Sequence, residues 1–222
     1  MACFLILRLD GPMQAWGTHS YEDFRPSNLY PTRSGLLGLL AACLGLDRKD
    51  QDALSQLAAS VDFSVRVDDH ASRAGQQEPC AKTGIKLPDF HTVMDARKVD
   101  GAAGKFPIVS RREYLFDAAF TVAVGERQGA VYSLDELANA LRRPCYTPVL
   151  GRRSCPPARP ILDGEPVEAS DAVVALRQCS GDGELIYSES VPSSQPLRLR
   201  DVPLHGHVRQ FGTRVVYLHK EA

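Results

Sequence analysis

The chain has 222 residues, with 26 Lys+Arg against 27 Asp+Glu, 44% hydrophobic and 24% charged. That is the make-up of an ordinary soluble globular protein, not of a disordered, collagenous or disulfide-stapled one. A chain of this length buries roughly 70% of its unfolded surface on folding, so it needs no bridges or structural metal to stand. A net charge of -1 excludes a protein that holds nucleic acid by bulk electrostatics and leaves the distribution of charge to decide.

In chain order, Cys3 to Leu9 is a mostly apolar run closed by Asp10-Gly11-Pro12, a strand ending in a turn. After a breaker-rich loop, Thr32 or Ser34 can cap a helix running through Leu36, Leu37, Leu39, Leu40 and Cys43 to Gly45. It is apolar nearly all round, hence buried, and Gly35 and Gly38 let another backbone approach it closely. Asp50 to Ser60 reads as a second short helix, and Val61 to Val67 alternates as a half-buried strand does. From Asp68 to Arg111 periodicity fails among scattered Gly and Pro, too long a stretch for a passive connection; it is either disordered or a projecting functional arm. Tyr114 to Val124 reads as one strand. Ser133-Leu-Asp-Glu136 is a capping box opening a helix that stops before Pro144. A short helix near 171–178 and strands near 185–191, 197–200 and 214–219 complete the chain. The pattern predicts an α+β fold: a modified ferredoxin-like, RRM-like split βαβ domain over 1–143, with its arm at about 68–111, and a smaller β-rich subdomain over 144–222.

Catalytic signatures are missing: the chain has no G-x-x-x-x-G-K-[ST], H-E-x-x-H, G-x-S-x-G or G-x-G-x-x-G. Its six cysteines never form C-x-x-C, which reads as structural thiols in a reducing cytosol. No apolar run is long enough for a membrane span, and the N-terminus lacks the basic start of a signal peptide, so a cytoplasmic protein with no cofactor is expected. His205 and His207 fall on one face of a strand, which fits a metal pair or a solvated ribbon. His91, with Tyr30 and Lys86, could serve metal-independent RNA cleavage, or could stack on or hydrogen-bond a ligand without moving a proton.

Charge distribution says more. Leu137 to Leu162 contains no acidic residue but carries Arg142, Arg143, Arg152, Arg153 and Arg159 with Tyr146. Phe24 to Leu46 is likewise acid-free, with Arg25 and Arg33, the latter in the first turn of the buried helix, where free N–H groups favour a phosphate. Such segments make anion-binding surfaces suited to RNA, or arginine-bearing loops paired to carboxylates elsewhere.

Leu7-Arg-Leu-Asp-Gly-Pro-Met-Gln-Ala-Trp-Gly17, Pro31-Thr-Arg-Ser-Gly-Leu-Leu-Gly-Leu-Leu40, Phe90-His-Thr-Val93, Arg112-Glu-Tyr-Leu115 and Tyr146-Thr-Pro-Val-Leu-Gly-Arg-Arg-Ser-Cys155 strongly resemble the CasD family of type I-E CRISPR Cascade complexes. The resemblance implies a repeat-associated RNA-binding fold with a thumb-like β-hairpin. The role it implies is non-catalytic: holding the 5' handle of the CRISPR guide RNA, capping a filament of CasC-type backbone subunits, contacting a CasA-type large subunit and meeting target DNA through the complex. The alternative is an endoribonuclease that processes repeat RNA, as some relatives do, although Thr92 and not a lysine neighbours His91. The RNA-binding residues implied are Gln14 and Trp16, whose indole could stack on a base or pack in the core, with Arg33, Ser34, His91, Arg111, Arg112, Tyr146, Arg152 and Arg153.

Overall fold

A computed structural model describes residues 1–18, 20, 22–69, 85–95, 106–205 and 210–220. The main sheet is built on β1 (Ala2–Asp10), which pairs with β9 (Ala119–Glu126) on one side and β10 (Val167–Ala169) on the other. Beyond β9 follow β6 (Val61–Val67), β11 (Leu185–Ser188), β13 (Gln210–Lys220) and β12 (Pro196–Leu204), each antiparallel to its neighbour. The sheet therefore runs across the expected boundary at 143/144, since β10 to β13 are hydrogen-bonded into the same sheet as β1.

Period-two alternation distributes the core over both faces. Leu5, Leu7 and Leu9 of β1, with Phe120, Val122 and Val124 of β9 and Phe63 and Val65 of β6, form one cluster with α1 (Arg33–Leu44) and α3 (Leu134–Arg142). Phe4, Ile6, Ala123 and Ile186 on the opposite face form a second cluster with α4 (Ala172–Gln178). α2 (Gln51–Ser60) adds Leu57 to the first cluster. Thr32 is the α1 N-cap, its Oγ1 accepting from the Gly35 N–H, and Gly45 ends the helix at φ 78°. Ser133 caps α3, accepting from the Glu136 N–H.

The expected single strand over 114–124 is two. β8 (Ile108–Phe116) and β9 are separated at Asp117, whose φ of 47° breaks the extended run. β8 belongs to a second sheet, flanked by β2 (Met13–Gln14), β4 (Phe24–Arg25) and the long strand β7 (Ile85–Val93). β3 (Trp16–Gly17) and β5 (Ser27–Asn28) pair separately. β7 and β8 form the described part of the arm, nine registered pairs from Ile85↔Phe116 to Val93↔Ile108. The pairs alternate faces, so Arg112 shares a face with Asp89 and Tyr114, while Arg111 faces the other way with Phe90 and Glu113. Cys80, Lys82, Arg97, Lys98, Lys105 and His207 lie outside the described residues.

Candidate nucleic-acid interface

Gln14 and Trp16 of the first loop and Arg33 at the start of α1 turn inward. Trp16 is fully buried, its indole N–H donating to Gln14 Oε1 at 3.0 Å, while the Gln14 amide donates to the Leu9 and Ala118 carbonyls at 3.0 and 2.7 Å. The indole packs beneath Gly35, where an added Cβ would come 2.7 Å from the ring. Trp16 is thus a core residue that lets α1 lie close, and core packing is the reading its geometry takes.

Arg33 is buried as well. Its guanidinium pairs with Glu189, donates to the Ala58 and Val61 carbonyls at 2.6 and 3.0 Å, and lies 5.3 Å from the Phe63 ring centroid. Its backbone N–H donates to Asp201 Oδ2 at 2.8 Å. The α1 N-terminus, where a phosphate was expected, already holds a carboxylate of the chain itself, a correction that follows from the sheet bringing β12 alongside α1. Arg214 of β13 bridges the same two acids, reaching Glu189 at 2.8 Å and Asp201 at 2.6 Å.

What α1 does present to solvent is a strip of small residues. Ser34, Gly38 and Ala42 form the shared floor of two adjoining clefts. Gly38 has nothing within 4 Å of where its Cβ would stand, so it opens onto the clefts; only Gly35 accommodates a close approach, and that from a side chain. The first cleft, about 430 Å³, is walled by Gly17, Thr18 and Arg25 on one side and by Val149, Gly151 and Arg152 on the other. Gly151 stands at φ 89° against the Ala15 carbonyl, where any Cβ would collide. The second, about 560 Å³, lies between α1, α2, Tyr146 and the β12–β13 end. Arg48 belongs to both, and no Asp or Glu among the described residues lines either.

Arg152 is held over the Tyr114 ring, 4.8 Å to its centroid, and donates to the Glu113 and Arg25 carbonyls at 3.2 and 3.1 Å. These hydrogen-bond partners are neutral, although the Glu113 carboxylate also attracts its charge. The nearby Glu113 carboxylate is occupied by Lys86 at 3.0 Å and the Ser27 N–H at 3.0 Å. Partial burial pushes the Glu113 carboxyl up, but these donors outweigh it and hold the group below the usual range. Arg153 is exposed, outside the clefts, with no side-chain partner among the described residues. Tyr146 is exposed beside α1, its N–H donating to the Ala42 carbonyl at 3.1 Å. Arg111 and Arg112 stay on the arm, Arg112 Nε donating to Ser110 Oγ at 3.1 Å.

Tyr30, Lys86 and His91 are not brought together. Tyr30 is buried and stacked on Tyr187, with centroids 3.9 Å apart, and burial pushes its phenol up to about 12. Lys86 and His91, five residues apart on β7, face opposite sides roughly 16 Å from each other along the strand. His91 Nε2 instead lies 2.7 Å from Asp89 Oδ2 and 3.4 Å from the Tyr114 hydroxyl. The sequence reading missed Arg48, which stands two residues beyond the acid-free stretch that ends at Leu46. It also missed the wall supplied by Phe211 and His205, which the register of β12 with β13 determines.

The chain matches the family model described as CRISPR-associated protein (Cas_Cas5) over residues 4–217. It belongs to the Cas5 family, among the CasD subunits of type I-E Cascade. The CRISPR system Cascade subunit CasD of Escherichia coli (strain K12) is 44% identical over 223 residues, covering 99% of this chain and 97% of that protein. A chain of a solved CRISPR RNA-guided surveillance complex superposes with a TM-score of 0.72 at 32% identity, covering 98% of this chain and 89% of its own. A crystal structure of a Cas protein gives 0.62 at 28% identity, with 98% and 93% covered.

Proposed function

We propose that this chain is a non-catalytic RNA-binding subunit of a cytoplasmic CRISPR surveillance complex. It holds the 5' handle of the guide RNA along the face of α1, caps a backbone filament of CasC-type subunits, contacts a CasA-type large subunit and meets target DNA through the assembly. The observation that carries this is the acid-free groove over Ser34, Gly38 and Ala42, flanked by Arg25, Arg48 and Arg152. A guanidinium whose hydrogen-bond partners are neutral carbonyls, as at Arg152, retains its attraction for phosphate, and a small-residue floor lets a sugar–phosphate chain lie close. In this reading the core is ferredoxin-like, since β1, β6, β9 and β10 stand in the order β10-β1-β9-β6 with α1 and α3 in the two crossovers. The β7–β8 arm, with Phe90, Met94, Ile108 and Phe116 exposed on it, is the surface offered to the neighbouring backbone subunit. Arg111, Arg112, Arg153 and His91 add contacts around it.

Replacing both Arg152 and Arg153 by Glu leaves the isolated chain folded and abolishes its incorporation into a guide-bearing particle. Two lost charge-assisted contacts cost on the order of 3–6 kcal/mol. Co-purification of the variant with normal guide content refutes the reading. Incubation of the chain with repeat RNA in EDTA leaves the RNA uncut; discrete products that vanish in His91→Ala would establish the endoribonuclease instead.

A further inference from the structure

A phosphate-binding role accounts for the first cleft and leaves the second without a task. We infer that the cleft between α1, α2 and the β12–β13 end receives one unstacked nucleobase of the single-stranded RNA whose backbone follows the arginine-walled cleft; this rests on the reading proposed above. The two clefts share Ser34, Gly38, Ala42 and Arg48, so a base entering the second keeps its own phosphate beside Arg48 and the first.

The lining fits a flat heteroaromatic ring with a polar edge. Leu37, Ala41, Leu54 and Leu57 make the cleft floor apolar, and Tyr146 and Phe211 line it as aromatic walls. Tyr146 is 54% exposed, yet its backbone is fixed to α1 through the Ala42 carbonyl. Aromatic faces of this kind are what splayed-out bases stack on. His205 Nε2 is buried at this cleft with no hydrogen-bond partner among the described residues, and burial pushes the His205 imidazole down, towards the neutral form. The side-chain amides of Gln51 and Gln210, also lining it, make no hydrogen bond among the described residues. An alkyl chain or an apolar side chain would fill the space but leave these three polar groups and Arg48 unsatisfied. A base edge supplies donors and acceptors to the first and its phosphate answers the second. The volume, about 560 Å³, lies within the range of small-ligand sites.

The test is a coupling measurement on the full chain with fluorescently labelled repeat-derived RNA. Each nucleotide in turn is replaced by an abasic one, against wild type and Tyr146→Ala. At one position the abasic change weakens binding to wild type about tenfold and has no further effect on Tyr146→Ala. If every abasic effect is the same in both proteins while Arg152→Glu still abolishes binding, the base site is overturned and the RNA-holding reading stands. If no RNA binds to the chain or to its assembled particle, both fall. Should Tyr146→Ala not fold, 4-thiouridine cross-linking of wild type replaces it. Adducts on the Tyr146 or Phe211 peptides support the site. Adducts confined to Arg25 and Arg152, or a cleft protected in the particle with no RNA adduct, overturn it.

Discussion

Arg33 and Arg152 both lie in acid-free stretches of sequence, and the fold puts them to opposite uses. Around Arg33 the protein closes completely, with Glu189, two carbonyls and the Phe63 ring taking up the guanidinium. Glu189 keeps Arg214 at 2.8 Å and Arg127 at 3.2 Å, but the Ala58 and Val61 carbonyls lose their donor, so Arg33→Ala costs about 1–3 kcal/mol in urea unfolding. Arg153→Ala, exposed and unpaired among the described residues, changes stability by less than about 0.5 kcal/mol. Acid sensitivity is readable at the same scale. The Val174 N–H donated to Asp171 at the start of α4 holds that carboxyl below its usual range. A depressed folded-state pKa means stability that is complete above the unfolded value, about 3.9, and is lost as pH falls through the folded one. Asp171→Ala therefore costs about 1 kcal/mol at pH 7, and its deficit relative to wild type shrinks below about pH 4 in denaturation titrations.

At the scale of elements, α1 is helix, core and groove floor at once. Gly38, open to the clefts, accepts Ala with a gain of up to about 1 kcal/mol from helix propensity. Gly38→Leu folds equally well but raises a side chain into the shared floor and lowers RNA affinity at least tenfold in a filter-binding assay, an outcome that separates the groove from the helix carrying it. Helix α1 was plain in the sequence, because its cap, apolar run and terminal Gly45 are local signals, and the same holds for α3 and its capping box. What could not be read were relations across the chain. An acid-free window says nothing about a carboxylate 168 residues away, which is how Asp201 comes to occupy the end of α1. Nor does an aromatic in a loop reveal whether a glycine will close over it, as Gly35 does over Trp16. Periodicity missed β7, which the resemblance alone implied as part of a hairpin, because its burial pattern is exposed almost throughout and it lacks the alternation by which strands announce themselves. The Gly-Arg-Arg-Ser-Cys loop was legible as chemistry, and the fold supplied its place beside the cleft.

For the whole molecule, the arm is where an unsatisfied surface remains. Phe90, 63% exposed, and Phe116, 42% exposed, contribute little to the core. Phe90→Lys accordingly leaves thermal stability unchanged within about 0.5 kcal/mol, while incorporation into the particle, measured by co-purification with the other subunits, falls. The order of strands in the main sheet also sets a timetable for synthesis. β13 lies inside the sheet, between β11 and β12, and carries Arg214, which ties Asp201 and Glu189 into the cluster around Arg33. A nascent chain can form α1 early, but the far wall of its groove is made from residues that leave the ribosome after all the other strands described. Until β13 emerges, the acids that neutralise Arg33 have no fixed place and the second cleft has no Phe211. Base capture in the second cleft therefore follows translation of this strand, whereas the arginine-walled cleft, built from residues no later than Arg152, is complete before it.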